Sequence, residues 1–246
     1  MLLEGKTAIV TGSIQGIGRA VLIEMVKNGA DAIACGQRET PEFTELAADL
    51  RREYGRLVVP VYFDFSDKDG VKAAVSEIRK AGKPIDILAN VAGMTIDAFF
   101  PMVTQEQLLT VFQINFFSQI AFTQYIVKLM LRNGKGSIVN FSSVTGIEGN
   151  PGQLAYGAAK AAWVAATKTM SAELGPKGIR VNAVAPGSIA TAMTADLPED
   201  VAAAQIAKSS LRRFGQPDEV AKTVVFLASD RASYITGQIV KIDGGL

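Results

Sequence analysis

The sequence predicts an α/β fold: one doubly wound parallel sheet of about seven strands, with helices on both faces. Two observations carry this. Short apolar runs alternate with longer helical patterns from one end of the chain to the other, as in a parallel sheet covered on both sides. An apolar fraction of 48% is ample for burying such a sheet. No linker, repeat or low-complexity tract interrupts the pattern, so residues 1–246 are expected to form a single domain.

The elements follow in order. Thr7–Thr11 is an apolar run ending at a glycine, the first strand. Gly16–Asn28 places Ile17, Ala20, Val21 and Met25 at helical spacing and stops at Gly29. Asp31–Cys35 is the second strand, and Thr40–Tyr54 the second helix, with Pro41 in its first turn as helix starts prefer. Leu57–Phe63, Asp67–Ala81 and Ile85–Ala89 continue as strand, helix and strand. Thr104–Arg132 reads as one very long helix, followed by a strand at Ser137–Phe141. Leu154–Leu174 is helical, Ile179–Val184 a strand, Pro217–Ser229 a late helix and Gln238–Ile242 the closing strand. Residues 190–215 are the least regular stretch.

Two helices are apolar nearly all round. One carries Val111, Phe112, Ile114, Phe116 and Phe117; the other sets Trp163, Val164 and Met170 among alanines. A helix packed only on its sheet would show a single stripe. A second subunit is therefore expected over the outer face, giving a homo-oligomer, tetramer or dimer. The alternative is the deep core of one large monomer.

Composition excludes several classes. Net charge is +1 with both signs interspersed, which leaves no footprint for nucleic acid. One cysteine, Cys35, permits no internal disulfide and suits a reducing compartment. There is no histidine, so acid/base work falls to Asp, Glu, Lys, Tyr or Cys, and no metal site is expected. Glu4 and Lys6 break any apolar leader, and no stretch approaches the roughly 20 apolar residues of a membrane span. The expected location is the cytoplasm, without a membrane partner.

Thr11-Gly12-Ser13-Ile14-Gln15-Gly16-Ile17-Gly18 lies between the first strand and the first helix. Glycines there let backbone approach a pyrophosphate, and the helix start offers free N–H groups and partial positive charge. The spacing is Gly-x-x-x-Gly-x-Gly, and it resembles that of short-chain dehydrogenases/reductases. The likeness continues with Asp64, Asn90-Val91-Ala92-Gly93, Asn115, Ser143, Tyr156, Lys160 and Pro186-Gly187, in order and over essentially the whole chain. It implies a Rossmann-type sheet and a nicotinamide-dependent oxidoreductase.

Tyr156 and Lys160 stand four apart on one helix face. A neighbouring ammonium and an oxidised nicotinamide would both lower the phenol's pKa from ~10. Reaching ~7 needs roughly 4 kcal/mol of differential stabilisation. Ser143, thirteen residues before Tyr156, ends a strand where α/β ligands bind, and its hydroxyl can donate to a carbonyl gaining charge. Ser142 is its rival; the family spacing favours Ser143. Asn115 is an amide inside an apolar helix and needs partners. The resemblance gives its backbone carbonyl a water that leads to Lys160. The expected catalytic set is Asn115, Ser143, Tyr156 and Lys160.

For the cofactor, the second strand ends without an acid, at Gly36-Gln37-Arg38. A carboxylate there would repel a 2′-phosphate; Arg38 could pair with one. NADP(H) is favoured over NAD(H), although Gln15 and Gln37 stand where relatives are often basic. The resemblance assigns Asp64 to the adenine amino group, Phe65 to the ring's flank, Asn90 to the tie between strands and Thr191 to the carboxamide. Gly12, Ser13, Gln15, Gly16, Ile17, Gly18, Gln37, Arg38, Ala92, Gly93, Tyr156, Lys160, Pro186, Gly187 and Ile189 complete the expected binding set.

The substrate the resemblance implies is a small carbonyl or alcohol. Met94, Ile96, Val144 and Ile147 are expected to line the cleft, with a mobile lid over 190–215 bearing Met193, Leu197 and Ile206. Gly149–Tyr156 and Thr236-Gly237…Asp243-Gly244-Gly245 resemble 3-oxoacyl-acyl-carrier-protein reductases of fatty acid biosynthesis. Arg132, Lys135 and Lys177 could meet an acidic carrier protein, or be ordinary solvated charges. A sugar, polyol or steroid dehydrogenase stays open, as does a dinucleotide-binding sensor without turnover.

Overall fold

The structure is a computed structural model and describes residues 1–195 and 198–246. β1 (Thr7–Thr11), α1 (Gly16–Lys27), β2 (Asp31–Gly36), α2 (Pro41–Tyr54), β3 (Val58–Tyr62), α3 (Lys68–Lys80) and β4 (Ile87–Asn90) form the first half. Then come α4 (Gln105–Phe112), a π-helical turn (Gln113–Phe117), α5 (Ser118–Asn133), β5 (Gly136–Phe141), α6 (Thr145–Glu148) and α7 (Leu154–Leu174). β6 (Ile179–Pro186), α8 (Ala192–Ala195), α9 (Glu199–Lys208), α10 (Pro217–Ala228) and β7 (Ile239–Ile242) close the chain.

The seven strands make one sheet in the order β3-β2-β1-β4-β5-β6-β7, parallel throughout. Side chains alternate across it. Ala8 and Val10 join Val21, Met25, Val220 and Val224 on one face, which α1 and α10 cover. Ile9 joins Val71, Ile78, Phe122 and Ile126 on the other, beneath α3 and α5. Strand order reverses between β1 and β4, and this opens a crevice at their carboxyl ends, where α/β sheets bind ligands.

Helix starts are set by caps. Thr40 and Asp67 take extended backbone, and their side chains accept the N–H groups of Phe43 and Asp69. Each therefore precedes its helix instead of opening it. Two expectations fail more substantially. The long helix over 104–132 is interrupted by the π-helical turn, an extra residue that apolar periodicity in an all-apolar segment does not register. The irregular 190–215 stretch holds two helices. α9 has no buried residue, hence no apolar stripe to read; Ala202, Ala203 and Ala204 favour helix, and Glu199, Asp200 and Lys208 complement its dipole. Leu197 and the Met193 side chain, expected as lid faces, lie outside the described residues. Among the described residues no helix is long and apolar enough to cross a membrane, and no group of three or more potential ligand side chains gathers for a metal.

Candidate active site

The loop after β1 is shaped by contacts only glycine permits. Gly12 has φ +69°, and a Cβ there would lie 2.9 Å from Ala92 Cα, so the loop rests directly on the segment leaving β4. A Cβ at Gly18 would come 2.1 Å from the Gly12 carbonyl oxygen, because the loop doubles back over the first turn of α1. Gly16 faces Thr191 Cγ2 across 3.6 Å, measured from the Cβ position it lacks. Gln15 precedes α1 in extended conformation and offers no side-chain cap, and no acidic residue enters the first turn. The helix thus presents uncapped N–H groups and positive dipole charge above a glycine-walled floor, and this donor set fits the pyrophosphate of a dinucleotide. Ile17 turns its side chain into the core beside these N–H groups. Ser13 serves the loop itself: its N–H donates to the Cys35 carbonyl at 3.0 Å and its hydroxyl to the Val10 carbonyl at 2.6 Å. Its N–H and hydroxyl therefore brace the loop on which the expected binding set sits.

At the end of β2, Arg38 is exposed and, among the described residues, forms no ion pair. Gln37 donates to Asp64 at 2.5 Å, and the Ser66 N–H donates to the other carboxylate oxygen at 2.7 Å. The Gln37 bond, chiefly, holds the Asp64 carboxyl below the usual range. Asp64 remains half-exposed, with unused lone pairs for an amino group. The Phe65 ring, expected at the flank of an adenine, is instead buried in the core beneath α5, edge-on to Phe63 at 4.9 Å and to Phe122 at 5.9 Å.

Asn90 is also internal. It donates to Thr123 and to Asn140, both at 2.9 Å, and so ties β4 to α5 and β5. Its side chain binds the sheet together and is not in the crevice. Pro186 accepts the Val144 N–H at 3.1 Å, and the Gly187 N–H donates to Ile242 at 3.0 Å, which places both at the crevice edge under the closing strand. Ile189 is buried in the core.

The reacting groups meet past the end of β5. Ser142 and Ser143 are separated by their bonds. The Ser142 hydroxyl is consumed by the Lys160 carbonyl at 2.9 Å, whereas the Ser143 hydroxyl accepts the Thr145 N–H at 3.2 Å and lies beside the Tyr156 phenol with its own proton uncommitted among the described residues. Gly146 lets α6 sit against α7 at Lys160, since a Cβ there would come 2.7 Å from the Lys160 carbonyl carbon. The Lys160 ammonium is 5.7 Å from the Tyr156 ring centroid and donates to the Phe141 carbonyl at 2.9 Å. It has three donors, and this is its one hydrogen bond among the described residues. A Cβ at Gly93 would stand 3.4 Å from its Nζ, so the glycine opens a path from ammonium to crevice, suited to ribose hydroxyls.

Burial pushes the Lys160 ammonium down to about 8. Burial also pushes the Tyr156 phenol above the ordinary tyrosine range; the neighbouring Ser143 hydroxyl pulls it back and the Asp97 carboxylate pushes it further up. The lowered phenol expected from Lys160 is therefore not what the protein alone produces. By itself the site holds a protonated phenol beside a cation.

Asn115 is fully buried in the π-helical turn. Its side chain pairs with the Met94 backbone in both directions, at 2.7 and 2.8 Å, and its carbonyl accepts the Trp163 indole N–H at 2.7 Å. One of the carbonyl's two lone pairs, expected to hold a water, is thus taken by protein. The sequence reading gives no site role to Trp163, Gln119, Asp97 or Gln153. Gln119 donates to the Ala92 and Ile114 carbonyls, and Gln153 spans from Asp97 to Thr145 across the cleft. A buried glutamine and a tryptophan inside apolar helices were the available signals.

Of the expected cleft residues, Ile147 is exposed and Met94 and Val144 half-buried, while Ile96 packs towards Val111, Ala155 and Ala159. Ile206 is half-buried on α9. The basic trio lies away from the reacting groups. Arg132, Lys135 and Lys177 lie at the amino ends of β5 and β6, and Lys135 faces Asp86 at 3.5 Å. A six-residue strand separates them from Ser143, about 20 Å.

A family model described as enoyl-(acyl carrier protein) reductase matches residues 12–246. The chain is 42% identical over 246 residues to the 3-oxoacyl-acyl-carrier-protein reductase of Thermotoga maritima, covering 100% of this chain and 99% of that protein. Among solved structures it is similar to 3-oxoacyl-acyl-carrier-protein reductase from Brucella melitensis, with TM-score 0.93 and 32% identity, covering 100% and 92% of the two chains. It is also similar to L-sorbose reductase from Gluconobacter frateurii complexed with NADPH and L-sorbose, with TM-score 0.91 and 28% identity, covering 100% and 98%.

Proposed function

The chain belongs to the short-chain dehydrogenase/reductase family, and on that premise we propose that it reduces a 3-oxoacyl thioester, delivered on an acyl carrier protein, at the expense of NADPH. The observation that carries this is the convergence of Ser143, Tyr156 and Lys160 at the end of β5, beside a glycine-walled loop open to a dinucleotide.

When bound, the reduced nicotinamide supplies hydride to the carbonyl carbon. The chain's own groups manage the oxygen. Tyr156, held protonated by burial, gives its proton to that oxygen as charge builds there. Ser143 donates a second hydrogen bond, strongest when the oxygen is most negative. The phenolate left behind is stabilised by Ser143 and by the Lys160 charge, and Lys160 also has donors free for ribose hydroxyls. Asn115 positions the Met94 segment by its paired bonds.

The preference for NADPH rests on Arg38, an exposed cation just past β2, whose carboxyl end bears no acid, where a 2′-phosphate would lie. Half-buried Met94 and exposed Ile147 favour an acyl chain entering at this crevice. Phe100, Met102, Leu109, Phe117 and Leu154 are exposed around α4 and α7, and support a homo-oligomer, dimer or tetramer, that covers them. The single buried cysteine supports a cytoplasmic setting. A sugar ketone is the second reading, favoured by the likeness to L-sorbose reductase.

The test is cofactor oxidation with acetoacetyl thioesters beside simple ketones and sugars, using NADPH and NADH in parallel. The proposal expects the highest kcat/KM with thioester and NADPH. A clear preference for a sugar or for NADH overturns the corresponding part, and binding of cofactor with no turnover on any carbonyl identifies a sensor instead.

A further inference from the structure

Trp163 is the protein's one tryptophan, fully buried, three residues beyond Lys160 on α7. Phe116 meets its ring edge-on at 5.5 Å. Its indole N–H ends on the Asn115 carbonyl at 2.7 Å, in the middle of the π-helical turn. A π-helical turn is a rare, locally unfavourable geometry, and the carbonyls it displaces need other donors. Two side chains from outside the regular backbone ladder supply them: Gln119 to Ile114 at 2.9 Å, and Trp163 to Asn115.

These bonds close a ring around the reacting centre. From Asn115 the amide side chain reaches the Met94 backbone at 2.7 and 2.8 Å. The adjoining Gly93 abuts both partners, since its Cβ position lies 3.2 Å from Asn115 Oδ1 and 3.4 Å from Lys160 Nζ. Lys160 returns along α7 to Trp163, one helical turn away. We infer that Trp163 is a positioning residue: through Asn115, its indole N–H fixes the Gly93–Met94 backbone against Lys160. This deepens the reading of Lys160 and Tyr156 as the reacting pair and rests on it for its effect on turnover.

Trp163→Phe keeps a ring against Phe116 and removes the donor. The Asn115 carbonyl is then left buried with one acceptor site unfilled, and the turn relaxes. Hydrogen–deuterium exchange of the full chain, free of cofactor, reads this directly, because the Met94 N–H is one of the bonds at stake. Exchange at Met94 and across 113–117 is expected to rise about tenfold, with α1 and α10 unchanged. In thioester reduction kcat falls about tenfold while substrate KM stays within about twofold. Replacing the single tryptophan by its benzothiophene analogue, which keeps shape and loses the N–H, should reproduce both changes. The inference is overturned if Met94 exchange and kcat are unmoved, or if exchange rises evenly along α5 and α7, which marks lost packing. If the wild type turns over no carbonyl, the proposed reaction fails, while the cofactor-free exchange still decides the role of Trp163.

Discussion

Lys160→Met should make the protein more stable while removing its activity. The lysine is 4% exposed and carries its charge into a setting with one hydrogen-bond acceptor. Its ammonium is pushed from 10.5 to about 8 by burial. At 1.36 kcal/mol per pH unit, that places about 3 kcal/mol against the charged form in the folded protein. Methionine fills similar volume without charge, but leaves the Phe141 carbonyl unpaired, which costs about 1–2 kcal/mol. The net gain at neutral pH is about 1–2 kcal/mol, or roughly 2–8 °C in Tm for a chain of this size. The sign of the pH dependence follows from linkage. Below about 8 the lysine is protonated in both states, and the folded wild type carries the full burden. Between about 8 and 10.5 the folded protein sheds the proton that the unfolded chain keeps, so wild-type stability climbs with pH. Urea unfolding of both proteins from neutral to alkaline pH should show the variant's lead shrinking across that window. A variant less stable than wild type at neutral pH, or a lead independent of pH, refutes the picture of an uncompensated buried ammonium.

The two serines should separate cleanly. Ser143→Ala removes a donor to the developing oxyanion and should lower kcat by roughly 10²–10³, whereas Ser142→Ala frees the Lys160 carbonyl, costs about 1 kcal/mol in urea unfolding and changes kcat little. Arg38→Glu should raise the apparent KM for NADPH by about 10–100-fold and leave that for NADH nearly unchanged, as measured by initial rates with each cofactor.

Much of this molecule could be read before its structure, because its determinants are local. The seven strands are apolar runs, and the carboxyl ends of those runs bring Gly12, Asn90, Ser143 and Pro186 to one edge. What escaped reading depends on contacts across the chain. The π-helical turn is set by Gln119 and by Trp163, a residue 48 positions from its acceptor. Ser13 looked like a ligand because its loop is one, yet its own donors turn inward to Val10 and Cys35. Phe65 follows a strand at the crevice edge but rotates into a three-ring core with Phe63 and Phe122. α9 is stabilised by alanine and end charges, neither of which leaves an apolar stripe. Arg132, Lys135 and Lys177 are far from the cleft because helix and strand run the length of the sheet between them and Ser143. Ser142 and Ser143 are adjacent and alike in chemistry; the family spacing favours Ser143, and the bond that ties the Ser142 hydroxyl to the Lys160 carbonyl separates them physically.

Removing one oxygen atom probes the whole scheme. Tyr156→Phe keeps the ring beneath Lys160 and deletes the proton that the substrate oxygen is to receive. With cofactor affinity checked by fluorescence and found near wild type, single-turnover reduction of acetoacetyl thioester should slow by at least about 10²-fold. Turnover within about tenfold of wild type would mean that another group supplies the proton.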